Sequence, residues 1–223
     1  MNFNIDLLGE NFTYFINYLS ANIFVNSSVI REINFEKVRA LYNKIENSNQ
    51  KTIVILYERN SGLTTFLNFI NCYELYFKSD IKNYIVLNSE ASIGYSKRMS
   101  ENILSDFAVI LKSFIVKNIK REKKEIKIDT NNNKYFGFPS CDQLELLSKP
   151  DFISVTKLIM DNCSTIFFDE SKFCKIYENL VHKTNENFKA IIVLSIDDFD
   201  YKRFLNKLKI EKINFEKIEL KKI

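Results

Sequence analysis

The sequence has 223 residues, of which 46% are hydrophobic and 14% aromatic, and its formal net charge is +4. A chain of this length and apolar content can bury its own core, which excludes a disordered tail and a miniprotein that depends on disulfides. The charge is only mildly basic, so it is compatible with nucleic acid without indicating it. The single histidine, His182, excludes a zinc site that needs two histidines.

The cysteines and the apolar runs bear on where the protein works. No two of the four cysteines have C-x-x-C spacing, so they predict buried thiols in a reducing compartment. The longest apolar runs, such as Ile191–Leu194, are too short to span a membrane. The first basic residue is Arg31, so the charged start of a signal peptide is missing. We expect a cytoplasmic protein, nuclear if eukaryotic, that is not secreted and has no membrane partner.

The first 29 residues differ from the rest of the chain. They are apolar and rich in asparagine, and residues such as Leu8, Phe12 and Ile16 recur at spacings of three and four. This pattern predicts a helical segment with one apolar face. We expect residues 1–29 to form a docking segment and residues 30–223 to form the core of the protein.

Apolar runs alternate with amphipathic stretches from residue 30 onward. Five runs predict strands: Thr52–Tyr57, Tyr84–Leu87, Thr165–Phe168, Ala190–Ser195 and Phe215–Leu220. Helical spacing predicts helices before and between them, around Val38–Ile45, Leu67–Leu75, Ile103–Ile115, Val155–Ile159, Phe173–Val181 and Phe204–Leu208. Continuous rather than alternating apolarity is typical of strands buried on both faces. We therefore predict a three-layer α/β/α fold with a mostly parallel five-stranded core.

Residues 117–150 interrupt this alternation and predict a basic insertion or long loop. Its basic side chains are candidate contacts to DNA phosphates, which would be independent of sequence and sensitive to salt. These candidates are Lys117, Lys120, Arg121, Lys123 and Lys124. The alternative is a solvated helix end or a surface insertion without a nucleic-acid partner.

The ends of the strands are where a parallel sheet places its ligands. After the first strand, Ser61–Thr65 partly matches the phosphate-binding pattern G-x-x-x-x-G-K-[ST]. Gly62 takes the second glycine and Thr64 the magnesium-binding hydroxyl, but Tyr57 replaces the first glycine and Leu63 the lysine. The alternative is an ordinary strand-to-helix turn.

The end of the third predicted strand adds two acidic residues. Asp169 and Glu170 directly follow the four residues of that strand, Thr165–Phe168. In phosphate-binding-loop enzymes an aspartate at such a place holds magnesium, and a glutamate after it polarises the attacking water. The alternative is that the pair caps the following helix.

With both motifs in this order, residues 30–223 resemble the AAA+ branch of the P-loop ATPases, most of all its origin-recognition and initiator-type members, with DNA-transposition ATPases second. The resemblance implies ATP and magnesium as cofactors, Ser61–Thr65 as the nucleotide loop, Asp169 with Thr64 at magnesium and Glu170 as the catalytic residue. It also implies a sensor at Ser195, an arginine finger near Arg203, and other AAA+ subunits, with DNA, as partners. The family's helical lid has no counterpart in this sequence.

Leu63 in place of the lysine removes a charge-assisted contact to phosphate, and this predicts a degenerate subunit without its own hydrolysis. Such a subunit would be a structural or nucleotide-sensing part of a DNA-associated assembly of the replication-initiation kind. Two alternatives stay open. One is an active ATPase that uses Gly62–Thr65 with Asp169 and Glu170, and the other is an α/β scaffold without nucleotide.

Overall fold

A computed structural model describes residues 5–22, 29–87, 89–111, 119–122, 125–128, 134–137, 155–161, 188–197 and 201–220. Its helices are α1 (Ile5–Glu10), α2 (Phe12–Asn22), a 3-10 turn (Ile30–Glu32), α3 (Phe35–Glu46), α4 (Leu63–Phe77), α5 (Glu90–Ile110) and α6 (Tyr201–Ile210). None of the helices in these ranges is long and apolar enough to cross a membrane.

The strands of the described residues join into one sheet. They are β1 (Thr52–Tyr57), β2 (Lys82–Val86), β3 (Ile119–Glu122), β4 (Glu125–Ile128), β5 (Lys134–Gly137), β6 (Lys157–Asp161), β7 (Lys189–Ser195) and β8 (Glu216–Leu220). Their order across the sheet is β3-β4-β5-β2-β6-β7-β1-β8. All neighbours from β5 to β8 run parallel. The predicted α/β fold with a five-stranded parallel core, β2-β6-β7-β1-β8, is confirmed.

Each face of the parallel strands packs on its own layer of helices. Successive strand residues point to opposite faces, and in β1 Ile53 and Ile55 join the cluster that contains α1 to α5. Val54 and Leu56 join the second cluster, which contains Phe204 of α6. The sheet is therefore buried on both sides, which explains why its strands read as continuous apolar runs.

Helix starts are set by local capping. Asn34 begins α3 by accepting a hydrogen bond from the backbone N–H of Lys37 at 3.2 Å, and Ser89 begins α5 by accepting one from Ser92 at 3.2 Å. The predicted apolar face of α3, from Val38 to Ile45, is buried. These caps fix where α3 and α5 enter the edge of the sheet that carries the candidate site.

The N-terminal helices pack on this chain's own core. Phe12 of α2 stacks on Tyr42 with ring centroids 4.0 Å apart, and Phe15 meets Phe107 edge to face at 5.2 Å. The Tyr73 hydroxyl donates to the backbone carbonyl of Leu8 at 3.0 Å. The predicted apolar face is thus covered within the chain, and the division at residue 29 stays a prediction.

The prediction of a helix around Val155–Ile159 is wrong, because this stretch carries the central strand β6. Lys157–Asp161 is fully buried between β2 and β7. An apolar spacing of three and four over so few residues fits either a helix or a buried strand, and here the neighbouring strands decide. The predicted strand at Thr165–Phe168 and the helix at Phe173–Val181 lie outside the described residues.

Within the predicted basic insertion, residues 119–137 contain strands where the sequence indicated a loop. β3 and β4 pair antiparallel, β4 and β5 do the same, and β5 joins the parallel sheet beside β2. The backbones of Lys120 and Arg121 therefore lie in the outermost strand on this side. Lys117, Lys123 and Lys124 lie outside the described residues.

Candidate functional site

The loop from β1 to α4 brings backbone N–H groups to the carboxyl edge of the sheet. Gly62 has a φ of 76° and caps α4, and Asn60 before it also has a positive φ of 63°. The left-handed conformation at Gly62 is one that residues with a Cβ rarely adopt. The first N–H groups of α4, a helix of 15 residues, have no partners in their own helix, and such ends attract anions.

Thr64, in the first turn of α4, is joined to the strand β6. Its hydroxyl Oγ1 donates a hydrogen bond of 2.8 Å to the carboxylate Oδ2 of Asp161, the last residue of β6. Because β7 lies between β1 and β6, this bond spans the end of β7. A threonine hydroxyl and an aspartate carboxylate are the two protein groups that hold Mg²⁺ in phosphate-binding-loop ATPases.

The environment of Asp161 perturbs its ionisation. The residue is 2% exposed. Burial raises the pKa of its carboxyl above the ordinary value, while the hydrogen bond from Thr64 acts in the opposite direction. A carboxylate oxygen is a ligand that hard divalent cations prefer.

Sequence reasoning missed Asp161. Two runs, Leu158–Asp161 and Ile166–Asp169, have the same form, apolar residues followed by aspartate. The sequence predicted a helix at the first run and the acidic motif at the second, where Glu170 follows Asp169, whereas Asn162 follows Asp161. The signal was therefore present, but only the contact with Thr64 singles out the first run. Asp169 and Glu170 lie outside the described residues, so their roles stay predictions.

Ser195 ends β7 beside the loop from β1 to α4. It is fully buried and pairs in register with Tyr57 at the end of β1. Its hydroxyl accepts a hydrogen bond of 3.2 Å from the backbone N–H of Asp197. The carboxylate of Asp197 in turn accepts one of 3.2 Å from the backbone N–H of Arg59. The end of β7 thus holds the loop in place, and a sensing role for Ser195 stays a prediction.

The other predicted residues take different places. Leu63 is buried in the core at 2% exposure, so its side chain points away from the loop. Thr65 lines a cavity beside the loop, on the side of α4 that faces α3 and α5. Arg203 is exposed on α6, which suits an arginine finger and does not test it.

The cavity beside the loop has a volume of about 690 Å³, within the range of small-molecule sites. Its walls come from the entry to α3, the loop with the start of α4, and the exposed side of α5. The lining residues are Val29, Glu32, Asn34, Lys37, Asn60, Ser61, Gly62, Thr65, Phe66, Tyr95, Arg98, Met99 and Asn102. Thr65 therefore lines this cavity, while the hydroxyl of Thr64 is directed to Asp161.

No family model matches the chain, and no curated protein sequence matches it. Among solved structures, the ATPase domain of the large terminase of Thermus phage P74-26 is similar in two forms. An arginine-to-alanine variant gives a TM-score of 0.61 at 13% identity, covering 93% of this chain and 84% of that one. A second structure of that domain gives 0.58 at 13% identity, covering 83% of each chain.

These likenesses show a fold that this chain shares with ATPase domains of large terminases. They span nearly the whole of this chain and place its α/β sheet among such domains, in agreement with the resemblance found in the sequence. The finer assignment to origin-recognition and initiator-type AAA+ proteins stays a prediction.

Proposed function

We propose that this chain is a magnesium-dependent nucleotide-binding subunit of a DNA-associated assembly, and that it lacks efficient hydrolysis of its own. The observation that carries the proposal is the 2.8 Å hydrogen bond between Thr64 Oγ1 and Asp161 Oδ2. It supports a cation site between the loop and the neighbouring strand end, which is where the magnesium of a bound nucleotide lies in proteins of this fold.

The residues present fit magnesium and ATP. Thr64 and Asp161 offer hard oxygen ligands, and Ser61 offers a buried Oγ that has no hydrogen-bond partner within the described residues. Magnesium supplies charge neutralisation between the phosphates when it is bound. Thr64 and Asp161 would hold it, and the N–H groups at the start of α4 would bind phosphate oxygens. A positive ion beside Asp161 would keep its carboxyl ionised despite burial.

Two sequence features favour binding over hydrolysis. Leu63 places an apolar side chain in the core where the phosphate lysine is expected. Asn162 follows Asp161, and an amide cannot accept a proton from an attacking water as a glutamate does. An active enzyme would need Glu170, or a residue from another subunit, to take that role. In a scaffold that binds no nucleotide, the Thr64–Asp161 hydrogen bond would have no role in binding a cation.

The DNA-associated setting rests on two observations. The structures that this chain resembles in fold are ATPase domains of large terminases. The segment between Lys117 and Lys124 concentrates five basic residues, and Lys120 and Arg121 lie in the outermost strand β3. Partner subunits of the same fold class are part of this proposal. The terminase likeness favours a DNA-packaging type of assembly over replication initiation.

The test is a titration of the purified chain with a fluorescent ATP analogue, with and without magnesium. We expect saturable binding that needs magnesium. Thr64→Ala and Asp161→Asn should each weaken this binding by about 10-fold to 100-fold. The matched control is Asp169→Asn, at the aspartate that the sequence predicted, and it should bind as the wild type does. No binding at millimolar nucleotide would contradict the proposal. Loss in Asp169→Asn alone would return the magnesium role to that residue.

Hydrolysis is measured separately as phosphate release by the chain alone. We expect a rate no higher than that of Thr64→Ala. A Glu170-dependent rate above this background would favour the active ATPase.

A further inference from the structure

We propose that Arg98 on α5, assisted by Lys37 on α3, binds the phosphate chain of the nucleotide and so supplies the positive charge that Leu63 does not. The inference rests on the proposed function, because it concerns the same bound nucleotide. It adds that the phosphate-binding cation comes from outside the loop.

Position is the first argument. Arg98 and Lys37 line the same cavity as Ser61 and Gly62, on walls that two different helices contribute. With Glu32 as the acidic residue of the lining, the side chains around the cavity carry a net charge of +1. The positive end of α4 opens on the same space and adds to that field. The cavity is therefore electrostatically suited to an anion.

The second argument is that these two cations are uncommitted. Neither Arg98 nor Lys37 makes a side-chain hydrogen bond or an ion pair with any of the described residues, whereas their neighbours do. Lys97 pairs with Glu101 at 3.6 Å on α5, and Arg39 pairs with Glu36 on α3. On α5 the basic residue at the cavity, Arg98, is thus the one left for a ligand among the contacts of the described residues, and on α3 Lys37 is likewise unpaired there.

The third argument is that α5 is fixed relative to the loop. Asn68 of α4 accepts hydrogen bonds from the hydroxyls of Ser96 and Ser100 on α5, at 2.8 and 2.7 Å. The same side chain donates to the backbone carbonyl of Thr64 at 2.8 Å. One buried amide therefore ties α5 to the first turn of α4. Arg98, between the two serines in sequence, is carried on a rigid support rather than on a loop.

Arginine suits this task chemically. Its planar guanidinium can bind two phosphate oxygens at once, which an ammonium does only as a point charge. Ser61, whose buried Oγ has no partner within the described residues, lines the wall opposite α5 and offers the phosphate a neutral donor. The site would therefore hold phosphate between α5 and the loop.

The experiment measures displacement of the fluorescent ATP analogue, in magnesium, by ATP, inorganic tripolyphosphate or adenosine. We expect Arg98→Gln to weaken ATP and tripolyphosphate about 10-fold or more, because a charge-assisted contact is lost, and to leave adenosine unchanged. Arg98→Lys should lose less, and a double variant that adds Lys37→Gln should lose more. The matched control is Lys97→Gln, one residue away and outside the cavity lining, which should behave as the wild type.

The outcomes separate this inference from the function on which it rests. Arg98 is exposed, so thermal unfolding of Arg98→Gln should match the wild type and exclude misfolding. Unchanged ATP affinity in Arg98→Gln, with loss in Thr64→Ala, would overturn the Arg98 assignment and leave the proposed function standing. Equal weakening of ATP and adenosine would place Arg98 at the nucleoside and also overturn it. A wild type that binds no nucleotide would end both proposals.

Discussion

The two edges of the parallel sheet each contain a buried acidic residue, but the two acids have different partners. At the amino edge, where β2, β6 and β7 begin, Glu74 near the end of α4 meets Lys157 at 2.6 Å. At the carboxyl edge, Asp161 at the end of β6 meets the neutral hydroxyl of Thr64 at 2.8 Å. Both acids are 2% exposed. The same strand β6 thus carries an ion pair at its start and a hydroxyl-bonded acid at its end.

The amino edge is a saturated polar network. Asn83 donates to both Glu74 and Asn71, at 2.9 and 2.8 Å, and Lys78 pairs with Glu74 at 3.2 Å. Lys189 donates to backbone carbonyls at the end of α3, at 2.8 Å for Ile45. Burial alone would raise the pKa of Glu74, but the charges of Lys157 and Lys78 lower it to about 2. The neighbouring lysines therefore keep Glu74 ionised, whereas burial lowers the pKa of Lys189.

At the carboxyl edge, burial disfavours the ionised form of Asp161. Burial raises the pKa of Asp161, so the ionised form is disfavoured in the folded protein. Glu74 has the opposite charges of Lys157 and Lys78 beside it, as structural buried charges normally do, whereas Thr64, which bonds Asp161, is neutral. The contrast agrees with an amino edge that supports the fold and with the cation site proposed at Thr64 and Asp161.

The largest expected effect is the loss of the amino-edge pair. Glu74→Gln replaces the nearer carboxylate of the buried Lys157 by a neutral amide and leaves Glu46, at 3.7 Å, as its carboxylate partner, and we expect the free energy of unfolding to fall by about 3 kcal/mol. Chemical denaturation measures this. The control is Glu36→Gln at the exposed pair with Arg39, where the change should stay within about 1 kcal/mol. An equally small change in Glu74→Gln would show that the pair does not support the fold.

Acid titration sharpens the same comparison. Because the pKa of Glu74 is lowered from 4.5 to about 2 in the folded state, its stabilising contribution is present above pH 4.5. That contribution is lost as the pH falls from 4.5 through 2. Unfolding measured across this window should show a steeper decline in the wild type than in Glu74→Gln. Parallel pH profiles for the two proteins would contradict this account of Glu74.

Asp161 should respond with the opposite sign. Its pKa is raised from 3.8 in the folded state, so at neutral pH the ionised carboxylate destabilises the ligand-free fold. We expect Asp161→Asn to leave the free energy of unfolding unchanged within about 1 kcal/mol, or to increase it, and any gain should vanish as the pH falls below 3.8. Denaturation without nucleotide or magnesium measures this. A loss comparable to that of Glu74→Gln would make Asp161 a structural residue.

Most of the fold could be predicted from the sequence because burial on both faces leaves a direct pattern. Thr52–Tyr57 and Ala190–Ser195 are continuous apolar runs, and both are strands of the parallel core. β6 was missed since Lys157 and Asp161 flank only three apolar residues, too few to separate a helix from a strand. The pairing of β3 to β5 depends on contacts across strands, which no local pattern reports.

The site was only half predictable for a similar reason. Gly62 and Thr64 belong to one local motif, so the sequence identified them. Asp161 is 97 residues from Thr64, and their hydrogen bond exists only after β6 lies two strands from β1. Arg98 reaches the cavity through the packing of α5 on α4, which no spacing in the sequence indicates.

A glycine substitution tests the backbone of the carboxyl edge. Gly62→Ala places a Cβ at a φ of 76°, where its nearest contact with the Phe66 ring, at 3.7 Å, is an ordinary one. Conformational strain rather than crowding should therefore lower the free energy of unfolding, by about 1–2 kcal/mol. The control is Gly94→Ala in α5, where a Cβ meets nothing within 4 Å. The higher helix propensity of alanine should increase the free energy of unfolding by about 0.5–1 kcal/mol.

Gly62→Ala should lower the free energy of unfolding, whereas Gly94→Ala should raise it. Gly62 gives the loop its left-handed backbone, and Gly94 lies within a helix, where alanine is favoured over glycine. Nucleotide titration completes the comparison. Gly62→Ala should weaken binding, since it would redirect the N–H groups that we propose to bind the phosphates, while Gly94→Ala should bind normally. If Gly62→Ala lost stability but bound nucleotide as the wild type does, the left-handed turn would serve only the fold. The loop at the carboxyl edge would then only stabilise the fold, as Glu74 does at the amino edge.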